Sequence, residues 1–243
     1  MSKINKQAQS GFTLIELAIV LVIIGLIIGG ILKGQELIEN ARVKNVMAQV
    51  NSYQAATVAF EDKYGALPGD LGTAEDYIPN CVAGNSCLIA ETQNGQIGGD
   101  AGDNYVAAVN TALSENIAYW VQLALSRFIG GIEVSATGGS DIYGSRFPSA
   151  ATGGGFQVIY QPDTGRHLVR LASVTGAVTN AAGALRPDQA LQLDTRMDDG
   201  QPLTGTVFSN ATLSATTCHA TTAGSPYLAK NIDQTCNLVF EIR

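Results

Sequence analysis

Twenty-one consecutive residues near the start of the chain, Phe12 to Leu32, are apolar or small apart from Thr13 and one acid, Glu16. As a helix rising ~1.5 Å per residue, a run of this length crosses a hydrocarbon layer of ~30 Å. Lys3 and Lys6 precede it, as in a secretory signal, yet no small-x-small cleavage site follows the apolar core, so the segment is expected to be retained. Glu16 is the exception within it. An acid inside an apolar span costs free energy unless it finds a partner, and one that is kept there marks a function.

The residues at the polar-to-apolar junction read Gly11-Phe12-Thr13-Leu14-Ile15-Glu16. This resembles the N-terminal signature of type IV pilin-like proteins, the pilins and the pseudopilins of type II secretion, with good agreement over residues 8–70 and agreement in general plan beyond. The resemblance implies that residues 1–11 are a leader cut after Gly11 by prepilin peptidase, and that the same enzyme N-methylates Phe12. It also implies that Glu16 neutralises the N-terminal amine of a neighbouring subunit during assembly. Electrostatics agrees, because an ammonium and a carboxylate in a low-dielectric bundle relieve each other's desolvation only when both are present. The implied partners are other pilin-like subunits, the peptidase, and an inner-membrane assembly platform with a cytoplasmic ATPase. A plain signal anchor carrying an incidental Glu16 is the alternative.

With a leader and a membrane helix set aside, the 243-residue chain leaves enough for one globular domain. Charged residues make up 14% and Gly numbers 27, which suits a turn-rich extracytoplasmic domain. The formal charge of −7 becomes −9 without Lys3 and Lys6, and such a surface argues against direct nucleic-acid binding. Four cysteines form two local pairs, Cys81 with Cys87 and Cys218 with Cys236; three connectivities are possible and the local one is preferred, as disulfides in an oxidising compartment. Buried free thiols are the other reading, and neither pair has zinc-ligand spacing. Lys3 and Lys6 before the span are balanced by Lys33, Arg42 and Lys44 after it, so charge alone leaves the topology open. The cysteines and the resemblance place the chain as a single-pass inner-membrane protein with its C-terminal part in the periplasm, later extracted into a periplasmic or surface fibre.

Beyond Lys33, Val43, Val46, Val50, Tyr53, Thr57 and Phe60 recur in steps of three and four, which predicts that the helix continues to about Asp62 with one buried stripe. Tyr64-Gly65-Ala66-Leu67-Pro68-Gly69-Asp70 ends it, with Gly65 as a left-handed cap and Pro68 unable to extend it. The expected organisation is therefore a leader (1–11), a transmembrane or fibre-core helix (12–33), its soluble continuation (34–64) and a globular domain (65–243). The fold class is α+β: a long N-terminal helix packed on a small antiparallel sheet with extra short helices, in the pilin-like plan. Gly25 and Gly29, and Gly30 and Gly34, stand four apart, a spacing that lets helices approach closely in lipid or leaves a merely flexible span. Many major pilins carry proline where Lys33 stands, so the resemblance points to a minor pilin or pseudopilin.

Residues 71–103 have no helical or strand period and read as a surface loop stapled by Cys81 and Cys87; its stretch from Asn94 to Asp103 is oxygen-rich but lacks the pattern of an EF-hand. A second helix is predicted from Ser114, or from as early as Asn104, to Phe128, ended by Gly130-Gly131, with Trp120 as a core anchor. Period-two runs 156–160 and 167–171 around Pro162-Asp163-Thr164-Gly165 predict a hairpin, with His167 a strand residue. A helix starts at Pro187 and ends near Met197. Asp194, Asp198 and Asp199 follow closely enough to share a cation, calcium by resemblance to some pseudopilins, or else form a solvated helix end. Thr204–Ser209 and Asn237–Arg243 are further strands, the last expected to be pinned in the sheet because its period-two Leu238, Phe240 and Ile242 want a covered face; between them Cys218 and Cys236 close a loop resembling the variable loop of pilins.

Catalysis finds little support. There are two histidines, His167 and His219, and no nucleophile elbow, zinc-helix motif or phosphate loop. No cofactor is expected apart from the calcium option. Three functions remain: a minor pseudopilin of type II secretion, a major or minor type IV pilin for attachment, motility or DNA uptake, and a membrane-anchored periplasmic binding module.

Overall fold

A computed structural model describes residues 13–82, 84–89, 93–97, 115–134, 143–161, 164–173, 183–209, 217–220 and 224–242. The chain divides into two compact units, residues 1–41 and 42–243. One helix, α1 (Leu14–Tyr64), runs through the division.

In the first unit the large apolar side chains of α1 from Leu14 to Leu32 are exposed, as are Leu37 and Ile38. In the second unit α1 turns a stripe inward, Val43, Val46, Val50, Tyr53, Ala56, Thr57 and Phe60, which contains every residue the three-and-four spacing marks. Tyr53 is the hub of the core. Its ring meets Trp120 edge-on at 5.0 Å and Phe156 at 5.2 Å, a geometry favoured by ring quadrupoles. Trp120 is fully buried, as expected of a core anchor.

The helix stops at Tyr64, where Gly65 adopts a φ of 71° and its amide donates to Glu61 O at 2.8 Å. Four residues on, Gly69 has a φ of 86°, and a Cβ there would stand 2.5 Å from Glu115 O. The chain must therefore lack a side chain at this point to pass against α3 (Glu115–Leu125). Gln122 of α3 fixes the crossing: its Oε1 accepts the Gly69 amide at 2.7 Å and its Nε2 donates to Cys87 O at 2.9 Å.

Between the helix exit and α3, one turn of helix, α2 (Ala74–Tyr77), interrupts the stretch expected to be wholly loop. The start expected for α3, at Ser114 or Asn104, lies outside the described residues. Its end is a correction. The helix stops at Leu125 because Arg127 takes a φ of 64°, with the Arg127 amide on Ala124 O and the Phe128 amide on Leu123 O, both 3.0 Å. That paired closure is the usual left-handed helix end, made here without glycine. Beyond this closure the Phe128 ring stands 6.2 Å from Phe60, three residues past the helix end rather than within the helix as expected.

β1 (Gly155–Gln161), β2 (Arg166–Ala172), β3 (Val207–Ser209) and β4 (Leu238–Glu241) form one antiparallel sheet in the order β1-β2-β4-β3. Its turn residues Pro162 and Asp163 lie outside the described set. One face carries Phe156, Val158, Val169, Leu171, Val207, Leu238 and Phe240 into the main core. The other is covered as well: Ile159, Leu168 and Val239 are buried with Phe208 packed against them. Leu238, Phe240 and Ile242 are buried as their alternation predicts, and Val239 between them is buried on the opposite face as well. α4 (Pro187–Met197) begins at its proline as predicted.

Candidate functional site

The first turn of α1 sets the candidate site. Thr13 precedes the helix, and its backbone amide and hydroxyl both donate to Glu16 Oε2, at 2.8 and 2.7 Å, while the Glu16 amide faces Thr13 Oγ1 at 3.4 Å. This is a reciprocal capping box, Thr-x-x-Glu, satisfying donors that a helix start leaves without intrahelical partners. The pattern was present in the sequence as Thr13 and Glu16, but reading Glu16 only as an acid in an apolar span hid it. Neither donor belongs to residues 1–11, so the cap is independent of the leader. Gly11 and Phe12 lie outside the described residues.

From Leu14 to Leu32 the helix is long and apolar enough to cross a membrane by length and composition, and Glu16 is its one charged residue. Gly25, Gly29, Gly30 and Gly34 have nothing within 4 Å of where a Cβ would stand, so within one chain these glycines meet no close neighbour. Lys33 ends the run and pairs with Glu36 at 2.6 Å on an exposed face, an ion pair of little energetic weight.

In the second unit, the structure places Cys81 with Cys87 and Cys218 with Cys236 in disulfides, with Cα separations of 5.3 and 5.1 Å. It also brings Asp194, Asp198 and Asp199 together, with one carboxylate oxygen from each lying within 4.8 Å of the others. Protein donors already engage them. Asp194 accepts the Gly200 amide at 2.9 Å and the Tyr227 hydroxyl at 2.7 Å; Asp198 accepts the amides of Thr206 and Val207; Asp199 accepts the Gln201 amide at 2.8 Å and the Thr204 hydroxyl at 2.7 Å. Burial pushes the Asp194 carboxyl up to about 6, against the two hydrogen bonds and helped by the charges of Asp199 and Asp198. The Tyr227 hydroxyl is pushed up by burial and by that same carboxylate. Sequence reasoning missed Tyr227, which lies thirty-three residues from Asp194 with no local pattern to announce it. Asp70, visible in the sequence only as the last residue of the helix-ending stretch, is a buried carboxylate that accepts the Asn94 and Gly95 amides, each at 2.9 Å. Of the oxygen-rich stretch from Asn94 to Asp103, residues 98–103 lie outside the described set.

The profile of the prokaryotic N-terminal methylation motif matches residues 6–32, the stretch that holds Gly11, Phe12, Thr13 and Glu16. The N-terminus is therefore similar to that of type IV pilin-like proteins. Among solved structures, the major type IV pilin PilA1 from Clostridium difficile is similar at 12% identity, covering 85% of this chain and 97% of that one with a TM-score of 0.36. No curated protein matches the chain. The pilin-like N-terminus agrees with a structural rather than an enzymatic part, and its apolar helix with a membrane anchor.

Proposed function

We propose that the chain is a fibre subunit that polymerises through its N-terminal helix, and specifically a minor pseudopilin of a type II secretion system. One observation carries the reading: the single charge between Leu14 and Leu32 is Glu16, in the first turn of an exposed apolar helix and inside the methylation motif. Cutting after Gly11 leaves Phe12 with a free amine four residues from that carboxylate. Both Thr13 contacts fall on Glu16 Oε2, so Oε1 is the oxygen that the ammonium of the next subunit can take. An apolar environment makes that pairing selective, because either charge alone is expensive there.

Lys33, standing where many major pilins have proline, favours the pseudopilin; the loop closed by Cys218 and Cys236 favours a surface pilin for attachment, motility or DNA uptake. Both would be processed by prepilin peptidase and assembled by an inner-membrane platform and its ATPase, with residues beyond the span in the periplasm, where the disulfides are stable. Mass spectrometry of the membrane-extracted chain should find a methylated N-terminus at Phe12. Glu16→Ala should still be cut but be missing from sheared fibres. Normal incorporation of Glu16→Ala removes the mechanism, and full activity without any fibre leaves the anchored binding module.

A further inference from the structure

The one Asn–Gly peptide of the chain is Asn94-Gly95, on an exposed turn. In flexible chains this dipeptide deamidates of its own accord, because glycine offers no side chain to hinder attack of its nitrogen on the asparagine carboxamide. Here nothing lies within 4 Å of where a Gly95 Cβ would stand, so steric protection is lacking. What holds the turn is electrostatic. Asp70 is 1% exposed, and its two oxygens accept the amides of Asn94 and Gly95 separately, at 2.9 Å each. The Asn94 Oδ1 is itself occupied by the Gln96 amide at 2.8 Å, and Ile97 is fully buried just beyond.

We propose that Asn94 is a latent self-modification site, an Asn–Gly peptide that cyclises only when the buried Asp70 carboxylate releases the Asn94 and Gly95 amides. The reaction needs the Gly95 nitrogen to lose its proton and bond to Asn94 Cγ. The Cγ–Nδ2 bond then breaks, and ammonia leaves with that proton. Water opens the resulting succinimide, at Cγ to give aspartate or at the main-chain carbonyl to give isoaspartate; no oxidant or other reactant is involved. An anion hydrogen-bonded to an N–H stabilises the protonated form and repels the amide anion, so Asp70 opposes the first step while the turn is closed. Isoaspartate carries an extra methylene in the backbone, which moves the two amides out of register with the two Asp70 oxygens. Asp70 is then left buried without these donors, a costly state, and the turn cannot close again. For either product the loss of ammonia makes the modification one-way, and its rate reports how often the turn opens.

The test uses the full mature chain in detergent at neutral pH, with peptide mass spectrometry for the one-dalton gain and isoaspartyl methyltransferase labelling for isoaspartate at residue 94. In concentrated urea the same chain should deamidate at the rate of a flexible Asn–Gly. The folded chain should be slower by at least about tenfold, the factor being the protection that local opening sets, and that factor should match the hydrogen-exchange protection of the Gly95 amide. Asp70→Asn, if folded by near-ultraviolet circular dichroism, should recover most of the urea rate; if it does not fold, the match between deamidation and exchange decides alone. A folded chain that deamidates as fast as in urea, a folded Asp70→Asn that stays slow, or no deamidation in urea overturns the proposal.

Discussion

Asp194 is fully buried with its carboxyl raised to about 6, against an ordinary aspartate near ~3.9 in an unfolded chain. Between those two values the folded chain binds a proton that the unfolded chain has lost, so stability falls as pH rises from about 4 to about 6 and is level above that. A gap of roughly two units corresponds to ~3 kcal/mol at most. Asp194→Asn removes the titration while keeping the contacts: its Oδ1 can accept the Gly200 amide, and its Nδ2 can donate to the Tyr227 oxygen in place of accepting from it. The measured quantity is the unfolding free energy of the variant minus that of the wild type, from urea titrations of the full chain in detergent between pH 4 and 7. It should shift toward the variant by ~2–3 kcal/mol over that range, which moves the melting temperature by roughly 4–12 °C for a domain of this size. A pH-independent difference refutes the reasoning, because it means that Asp194 is charged throughout. Repeating the series with calcium tests the cation option, since an ion on Asp194, Asp198 and Asp199 holds them ionised and flattens the wild-type curve.

Gly69→Ala should cost more than ~2 kcal/mol, from left-handed strain and from the collision with Glu115 O. Gly65→Ala, with a φ of 71° and nothing within 4 Å, should cost only ~1–2 kcal/mol; equal losses in urea titrations would show that the close approach is immaterial. Thr57 donates to Tyr53 O at 2.8 Å and meets the buried Tyr119 hydroxyl at 2.6 Å. Tyr119→Phe and Thr57→Val should each cost ~1–3 kcal/mol and be non-additive by about 1 kcal/mol or more in a double-mutant cycle, and strict additivity would remove the bond from the account.

What the sequence made legible is what local periodicity carries. The α1 stripe, the hairpin of β1 and β2, and the start of α4 at Pro187 follow from three-and-four spacing, alternation and a proline's fixed φ, each decided within a few residues. The end of α3 is not legible from its glycines, because Arg127 takes the left-handed position ahead of Gly130-Gly131 and Phe128 lies against Phe60. Asp70 and Asn94, Asp194 and Tyr227, and Gln122 and Gly69 stand between twenty-four and fifty-three residues apart; no period connects them, and only the folded chain does. At the candidate site the situation is reversed. Thr13 and Glu16 are three apart, so the cap was local and readable, and the error was to treat the acid as waiting only for a partner in another chain.

The sheet bears on how copies can join. At the β3 edge the Val207 amide donates to Asp198 at 3.0 Å and the Ser209 amide to Pro202 O at 2.6 Å, and on β1 the Phe156 amide donates to Pro148 O at 2.9 Å. A strand from another copy needs such amides free, so addition at these positions is closed. From Leu14 to Leu32 the helix has its interior backbone satisfied within itself and offers apolar side chains and glycines. Contacts of that kind are strong in sum but almost without direction: a neighbour displaced by one helical turn, ~5.4 Å, buries nearly the same apolar area. Register in a fibre built on such a surface has to come from somewhere else. On the proposed reading Glu16 supplies it, because as the only charge in the run it has one place to meet a partner amine, and a one-turn slip separates the pair and leaves both charges in apolar surroundings. Loss of Glu16 should therefore impair assembly through lost register more than through lost attraction, with monomers still held in the membrane by the same apolar helix.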